Sequence, residues 1–396
     1  MIIQPKVRGF ICTNAHPAGC AANVQEQIAY VKAQGEFKDG PKNVLVIGSS
    51  TGYGLASRIN AAFGAGAKTL GIFFEKAPTE KKTATAGWYN TAAFQAAAEE
   101  AGLWSKNING DAFSDEVKEK ALKVIREEMG KIDLIVYSLA SPRRTHPKTG
   151  ETFNSVLKPI NQAYEVKNLN TSKREIESMT VEPASEKEIQ DTIAVMGGED
   201  WEMWLDALKG KDLLADNCQT LAYTYIGKKL TWPIYGKATI GRAKEDLDRA
   251  ASAITDRLSD IQGHAYVCSL KALVTQASSA IPIMPLYISL LYRVMKEEGT
   301  HQGCIEQIHG LFQQLADAEG HKDAAGRLCM DGKELADHVQ NKVESLWNEV
   351  TTETIDTLTD YECYHAEFLK LFGFGISSVD YDADISPLAP IHQLID

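Results

Sequence analysis

The stretch Val44-Leu45-Val46-Ile47-Gly48-Ser49-Ser50-Thr51-Gly52-Tyr53-Gly54-Leu55-Ala56-Ser57-Arg58 decides the fold. It runs apolar, breaks into a glycine-rich turn and resumes with helical spacing, the pattern of a strand, a phosphate loop and a helix. Gly48 turns the chain at the strand end, Gly52 lets backbone approach a ligand where a Cβ would intrude, and Gly54 permits close packing of helix on sheet. A helix that begins there aims free N–H groups at an anion. About 20 residues further on, a second apolar run, Thr69-Leu70-Gly71-Ile72-Phe73-Phe74, ends on Glu75, an acid suited to hold a ribose diol. These features together predict nucleotide binding on an α/β fold, a Rossmann-type doubly wound parallel sheet.

A length of 396 residues admits two or three domains, or one large α/β domain with insertions, and a 44% hydrophobic content supports a substantial core. The 53 acidic and 41 basic residues leave a net charge of −12, which argues against a polyanion-binding surface, so no nucleic acid is expected as partner. Seven cysteines (Cys12, Cys20, Cys218, Cys268, Cys304, Cys329, Cys363) without a C-x-x-C pair fit reduced thiols in a cytoplasm. The N-terminus lacks the apolar core of a signal peptide. Residues 280–291, the longest apolar stretch, contain Pro282 and Pro285 and fall short of the roughly 20 residues a spanning helix needs. Stable membrane insertion is not expected, and the stretch reads as a buried helix or pocket wall. Cys12, His16 and Cys20 fall four apart, but Pro17 and Gly19 are expected to break any helix that would align them, so no metal is assigned.

Along the chain, an N-terminal extension to about residue 40 reads as extended over 2–13 and helical over 21–33. A helix over 89–101 and a strand over 104–108 lead to Asp111 and Ala112, a position that lies beside an adenine in this architecture; an acid opening the helix at 114–129 is the plain alternative. A buried strand from Asp133 runs through Ser138, Leu139, Ala140 and Ser141 and stops at Pro142, its small residues leaving room for a cofactor. Residues 143–188, rich in Pro, Thr, Asn and Lys, read as an insertion over one edge of the sheet. Strands follow at 221–226 and 265–270, and residues 290–396 read as mainly helical. The acids Asp380, Asp382 and Asp384 lack the closing Glu of a calcium loop and read as a solvated tail. The whole is expected to be one domain, 1–396.

Acid/base groups are sought just after the strands downstream of Ala140. Tyr225 ends one strand, and Tyr235 follows Thr231-Trp232-Pro233-Ile234, with Lys244 nine positions beyond it. On one unbroken helix nine residues turn through about 900°, which sets Tyr235 and Lys244 on opposite faces. They converge only if Tyr235 precedes a helix that starts near Thr239, and Gly236 and Gly241 permit that break. The ammonium would then ease phenolate character on Tyr235 and reach a cofactor ribose; an interfacial Tyr and a solvated Lys are the alternative. The hydroxyl-bearing loop Leu273-Val274-Thr275 suits a wall along a nicotinamide, or an ordinary helix start.

These residues resemble a family, the bacterial trans-2-enoyl-CoA and enoyl-acyl-carrier-protein reductases of the long Tyr-x8-Lys type. The likeness is carried by Val7-Arg8-Gly9-Phe10-Ile11-Cys12, Gly52-Tyr53-Gly54-Leu55-Ala56, Gly110-Asp111-Ala112-Phe113-Ser114-Asp115-Glu116, Tyr137-Ser138-Leu139-Ala140-Ser141-Pro142, Val195-Met196-Gly197-Gly198-Glu199-Asp200-Trp201, and Tyr235 with Lys244. The resemblance implies NADH-dependent reduction of the carbon–carbon double bond of an enoyl-CoA or enoyl-acyl-carrier-protein thioester, NADH being preferred over NADPH, in a cytoplasmic monomer. By position it implies that Gly48, Ser49, Ser50, Thr51, Gly52 and Tyr53 hold the pyrophosphate, Phe74 and Glu75 the adenosine ribose, and Asp111 and Ala112 the adenine. Leu139, Ala140, Lys244, Leu273, Val274 and Thr275 complete the cofactor site. Tyr225 contacts substrate, Tyr235 is the proton donor, and residues 281–291 wall the acyl chain.

Two rivals use the same loop. The spacing Gly-x3-Gly-x-Gly is that of short-chain dehydrogenases acting on a carbonyl or alcohol, but these expect Tyr-x3-Lys, and Tyr235-x3 arrives at Thr239. A nucleotide-sensing regulator would need a partner-binding or DNA-binding module, and none is visible.

Overall fold

The computed structural model describes residues 1–316 and 321–395. Among these, eight strands form one parallel sheet: β1 (Asn43–Ile47), β2 (Lys68–Phe73), β3 (Ser105–Asn109), β4 (Ile132–Tyr137), β5 (Leu214–Thr224), β6 (His264–Ser269), β7 (Leu328–Cys329) and β8 (Leu394–Ile395). Their spatial order is β7-β6-β5-β4-β1-β2-β3-β8, with every neighbouring pair parallel. The order reverses between β1 and β4, and in sheets of this kind ligands bind at the carboxyl ends of the strands beside such a switch point. In β1, Val44 and Val46 join one apolar layer while Leu45 and Ile47 join the other. A continuous apolar run is what a strand buried on both faces requires.

The helices, in chain order, are α1 (Pro17–Gln34), α2 (Gly52–Ile59), α3 (Ala86–Glu100), α4 (Asp115–Val124), α5 (Glu186–Met196), α6 (Glu199–Lys209), α7 (Thr239–Arg257), α8 (Gln276–Ser279), α9 (Met284–Glu297), α10 (Cys304–Ala316), α11 (Gly332–Leu335), α12 (Asp337–Glu349), α13 (Ile355–Leu358) and α14 (Tyr361–Lys370). Apolar residues of α1, α2, α3 and α10 cover one face of the sheet, and those of α4, α6 and α7 the other. A third apolar cluster, built on α9, α12 and α14, also takes in Tyr235, Leu273 and Val274.

Two buried charged networks, one on Arg58 and one on the Lys118–Asp200 pair, tie helices to the sheet. Arg58, on α2 and fully buried, donates to Asn107 Oδ1 at 2.7 Å, Ser105 Oγ at 2.8 Å and the Lys106 carbonyl at 2.7 Å, tying the helix after the glycine turn to β3. Under β4, Lys118 Nζ meets Asp200 Oδ1 at 2.7 Å and the Tyr137 hydroxyl donates to Asp200 Oδ2 at 3.1 Å, joining α4, α6 and the strand end.

Several boundaries differ from the sequence expectation for physical reasons. Pro17 does not break a helix but begins one: it occupies the first turn of α1, where a missing N–H costs nothing, and buried His16 caps it by accepting from Gly19 N at 3.1 Å. Gly19 then lies so close to Gly373 that a Cβ there would meet the Gly373 carbonyl oxygen at 1.7 Å, while His16 N donates to the Phe372 carbonyl. Strand β5 begins seven residues before Leu221, a start hidden by polar Asp216, Asn217 and Gln219 and by an irregular register against β4. Residues 143–188 carry two antiparallel hairpins, and the second (Tyr164–Asn170 with Glu175–Val181) does not run along a sheet edge. It lies on the C-terminal helices, where Lys167 donates to the Trp347 carbonyl and Arg174 pairs with Glu362 at 2.7 Å.

Candidate active site

The glycine turn closes on itself tightly. A Cβ at Gly48 (φ +87°) would lie 2.0 Å from the Ser138 carbonyl oxygen, and one at Gly54 would lie 1.8 Å from the Gly48 carbonyl oxygen. Helix α2 starts at Gly52 behind an extended Thr51 whose side chain makes no cap, so the first-turn N–H groups are not taken by a side chain. Ser49 is spent on structure, its hydroxyl donating to the Ile72 carbonyl at 3.2 Å. Ser50 Oγ donates to Glu75 Oε1 at 2.7 Å, which joins the turn to the acid beyond β2. Burial lifts the Glu75 carboxyl, and hydrogen bonds from Thr85 and Ser50 oppose the rise. Asn109 clasps the Glu75 backbone from β3, accepting from its N–H at 2.9 Å and donating to its carbonyl at 3.0 Å. Phe74 beside it is 78% exposed.

The other cofactor candidates follow the carboxyl ends of β3, β4 and β6 with unequal freedom. Asp111 follows β3, accepts from Phe113 N at 3.0 Å, and precedes Ser114, which caps α4. Ala112 is buried, its carbonyl taken by Lys118 and Trp204. Leu139 is half-buried and Ala140 exposed at the end of β4. Thr275 caps α8, and its methyl is 3.9 Å from where a Gly52 Cβ would be, so the loop after β6 faces the glycine turn. Leu273 and Val274 are buried, with Val274 N donating to the Tyr292 hydroxyl at 3.2 Å. A glycine cradle, an uncapped helix start and a carboxylate held on the turn fit a dinucleotide.

Beyond these, Tyr225 and Tyr235 meet edge to face with ring centroids 4.8 Å apart. Helix α7 starts at Thr239, so Tyr235 precedes it and Lys244 lies one and a half turns inside, the break the convergence argument required. The two are not joined directly: Lys244 Nζ donates to the Tyr223 carbonyl at 3.2 Å. Burial lowers the Lys244 ammonium to about 8, opposed by Asp248. Burial raises the Tyr235 phenol, with Glu334 adding to the rise, so it stays protonated at neutral pH. Among the described residues, nothing hydrogen-bonds the Tyr235 hydroxyl. Tyr53, on α2, donates to the Lys271 carbonyl at 2.6 Å and ties the glycine turn to the strand end that carries Lys271.

Sequence reasoning missed a buried polar group behind these tyrosines. Glu334, on α11, is fully buried and accepts from the Tyr225 hydroxyl at 3.0 Å, the Tyr287 hydroxyl at 2.8 Å and Ala272 N at 2.6 Å. Buried Lys271, lowered to about 8 by desolvation, opposes the rise of the Glu334 carboxyl. Lys271 had a signal, a lone cation inside Ser269-Leu270-Lys271-Ala272-Leu273. Glu334 had none: it arrives from a four-residue helix about a hundred positions after Tyr225.

Comparison with known proteins matches three consecutive family models: the NAD(P)H binding domain of trans-2-enoyl-CoA reductase over residues 2–80, the trans-2-enoyl-CoA reductase catalytic region over 82–316, and an enoyl reductase FAD binding domain over 322–385. An enoyl-[acyl-carrier-protein] reductase [NADH] of Pseudoalteromonas translucida is 66% identical over 100% of both chains, and one of Saccharophagus degradans is 66% identical over 98% of both. Among solved structures, a Treponema denticola trans-2-enoyl-CoA reductase in complex with NAD matches with a TM-score of 0.95 at 45% identity, covering 99% of this chain and 100% of that one. A Clostridium trans-2-enoyl-CoA reductase in complex with NADH matches with a TM-score of 0.95 at 43% identity, covering 98% of each. The third family model names a flavin, but the described residues of 322–385 do not fit one. Their one strand, β7, has two residues and the helix that follows it at Gly332 has four, too short to present a row of free N–H groups to a pyrophosphate, and Glu334 and Gln340 are bonded to neighbouring protein groups.

Proposed function

The chain belongs to the trans-2-enoyl-CoA reductase family, and from that premise we propose how its residues carry the family's reaction. It is an NADH-dependent enoyl reductase, an oxidoreductase that converts trans-2-enoyl thioesters to saturated acyl thioesters in fatty-acid biosynthesis. NADH supplies the hydride, which goes to the β-carbon. The glycine turn and first turn of α2, Gly48 to Tyr53, hold the pyrophosphate; Glu75 with Phe74 holds the adenosine ribose; Asp111 and Ala112 flank the adenine. Leu139, Ala140, Lys244 and the loop Leu273-Val274-Thr275 line the remainder of the cofactor site.

Tyr235 acts on the substrate. As the β-carbon is reduced, negative charge gathers on the thioester oxygen, and the Tyr235 hydroxyl donates to it and then supplies the α-carbon with a proton. The observation that carries this reading is that Tyr235 is buried against Tyr225 yet its hydroxyl bonds to no described protein group, so its proton is available. Lys244 braces the strand end through the Tyr223 carbonyl and offers its charge to the ribose. Tyr225 contacts the thioester without driving its chemistry. The enzyme works as a monomer in the cytoplasm.

Purified protein with crotonyl-CoA or the corresponding acyl-carrier-protein thioester tests this, followed at the absorbance of reduced nicotinamide. Tyr235→Phe should lower kcat by about 10²–10⁴-fold with the fold intact, whereas Tyr225→Phe should act mainly on KM. A Tyr235→Phe enzyme that keeps its kcat while Tyr225→Phe loses it reverses the two roles.

A further inference from the structure

The two tyrosines differ in what holds their protons. A phenol has one hydrogen, and that of Tyr225 points at Glu334 Oε1, 3.0 Å away. The Thr231 hydroxyl at 3.5 Å is a poorer, neutral acceptor. The carboxylate is itself pinned: Oε1 also accepts from Tyr287, Oε2 accepts from Ala272 N, and Gln340 Nε2 donates both to the Tyr287 hydroxyl oxygen at 2.9 Å and to the Glu334 carbonyl at 2.8 Å. Every donor around Glu334 points inward, so the arrangement suits a carboxylate that accepts and cannot give.

We propose that Glu334 is a positioning residue that commits the single Tyr225 proton, so that Tyr225 faces the substrate as an acceptor and Tyr235 alone donates. The inference rests on the assignment of Tyr235 as donor. It gives two phenols in ring contact separate roles at the thioester: the proton of one is taken from behind by a buried carboxylate.

Glu334→Gln reverses the hydrogen bond without changing shape. The Ala272 N–H demands an acceptor, which fixes the amide oxygen at that end and turns the amide NH2 towards Tyr225 and Tyr287. Tyr225 must then accept from the amide, and its proton is released into the site. Kinetics of Tyr235→Phe and of Glu334→Gln/Tyr235→Phe with crotonyl-CoA and NADH, backed by circular dichroism and an NADH titration, decide the matter. The double variant should turn over at least about 10-fold faster than Tyr235→Phe, a part of the 10²–10⁴-fold that a donor supplies, and adding Tyr225→Phe should abolish the gain. A folded, NADH-binding double variant no faster than Tyr235→Phe overturns the proposal, since a purely structural Glu334 predicts added damage and no rescue. Full turnover by Tyr235→Phe alone overturns the donor assignment instead, a separate result.

If the amide variant does not fold, protonation does the same work in Tyr235→Phe itself. The titratable groups facing Glu334 are Tyr53 from α2, Tyr225 and Tyr235 from the segment after β5, Lys271 after β6 and Tyr287 from α9. Burial raises the Glu334 carboxyl. The tyrosines stay protonated and Lys271 completes its own protonation as pH falls through about 8, so the raised Glu334 carboxyl is the group left to gain a proton at lower pH, and the activity of Tyr235→Phe relative to the unmodified enzyme should climb as pH falls further. A flat ratio overturns the proposal.

Discussion

Gly54→Ala puts the phosphate cradle under direct test. The added methyl would lie 1.8 Å from the Gly48 carbonyl oxygen and 2.9 Å from its carbon, both backbone atoms. Restoring an ordinary contact near 3.4 Å needs a shift of about 1.5 Å between the turn and α2, an overpacking that costs about 1–3 kcal/mol. At about 2.1 cal/mol/K per residue, a chain of this length has an unfolding entropy near 0.8 kcal/mol/K, so the melting temperature should fall by about 1–4 °C. NADH at a hundred times its Kd stabilises the unmodified protein by about 2.7 kcal/mol, a shift of about 3 °C. With the turn displaced, binding weakens and most of that shift disappears, while the KM for NADH rises at least about 10-fold. Gly66→Ala is the control: it pays for a left-handed φ of +65° but meets no atom within 4 Å, and it should keep the NADH shift. Melting curves with and without NADH decide it, and a Gly54→Ala protein with the full NADH shift and an unchanged KM refutes the cradle.

Glu75→Gln removes the charge but keeps an acceptor for Ser50, so the ratio of kcat/KM for NADH over NADPH should fall by about 10-fold; an unchanged ratio means that Glu75 does not select the ribose. Loss of the Lys244 ammonium as pH rises through about 8 should lower kcat/KM, and Lys244→Arg should move that limb upward; a limb that stays at 8 belongs to Lys271. The same depressed ammonium means that the folded chain binds fewer protons than the unfolded one between about 8 and 10.5, so its contribution to stability improves as pH rises through that window. Asp200→Asn removes the counter-charge of the buried Lys118 ammonium and leaves it only the Ala112 and Phe113 carbonyls, and denaturant melts should show a loss of about 3–5 kcal/mol; a loss below about 1 kcal/mol would mean that those carbonyls suffice.

The glycine turn, Glu75 and the break before Thr239 were legible because each depends on neighbours in sequence: an apolar run, a turn and an acid at fixed spacing. The start of β5 was not, since Asp216 and Asn217 sit where the ladder is irregular and polarity masks the strand. Pro17 misled because the same residue stops a helix from inside and opens one from its first turn, and only the cap on His16 tells which. Glu334 and Tyr287 were out of reach, because their meeting with Tyr225 depends on packing between α9, α11 and the end of β5 and leaves no local pattern.

The seam between α1 and the chain near Gly373 governs the order in which the protein can be made. His16 N bonds the Phe372 carbonyl, Gly19 is sealed against Gly373, and the Trp88 indole and Tyr89 hydroxyl reach the carbonyls of Ala389 and Pro387. On a ribosome that builds from the N-terminus, the first helix and the glycine turn emerge hundreds of residues before the partners that close over them. The regions 2–80, 82–316 and 322–385 are consecutive in sequence, but α1 draws its cover from all three: a piece cut at residue 80 keeps the cradle's residues and strips α1 of α3, α10 and α14, which pack on it.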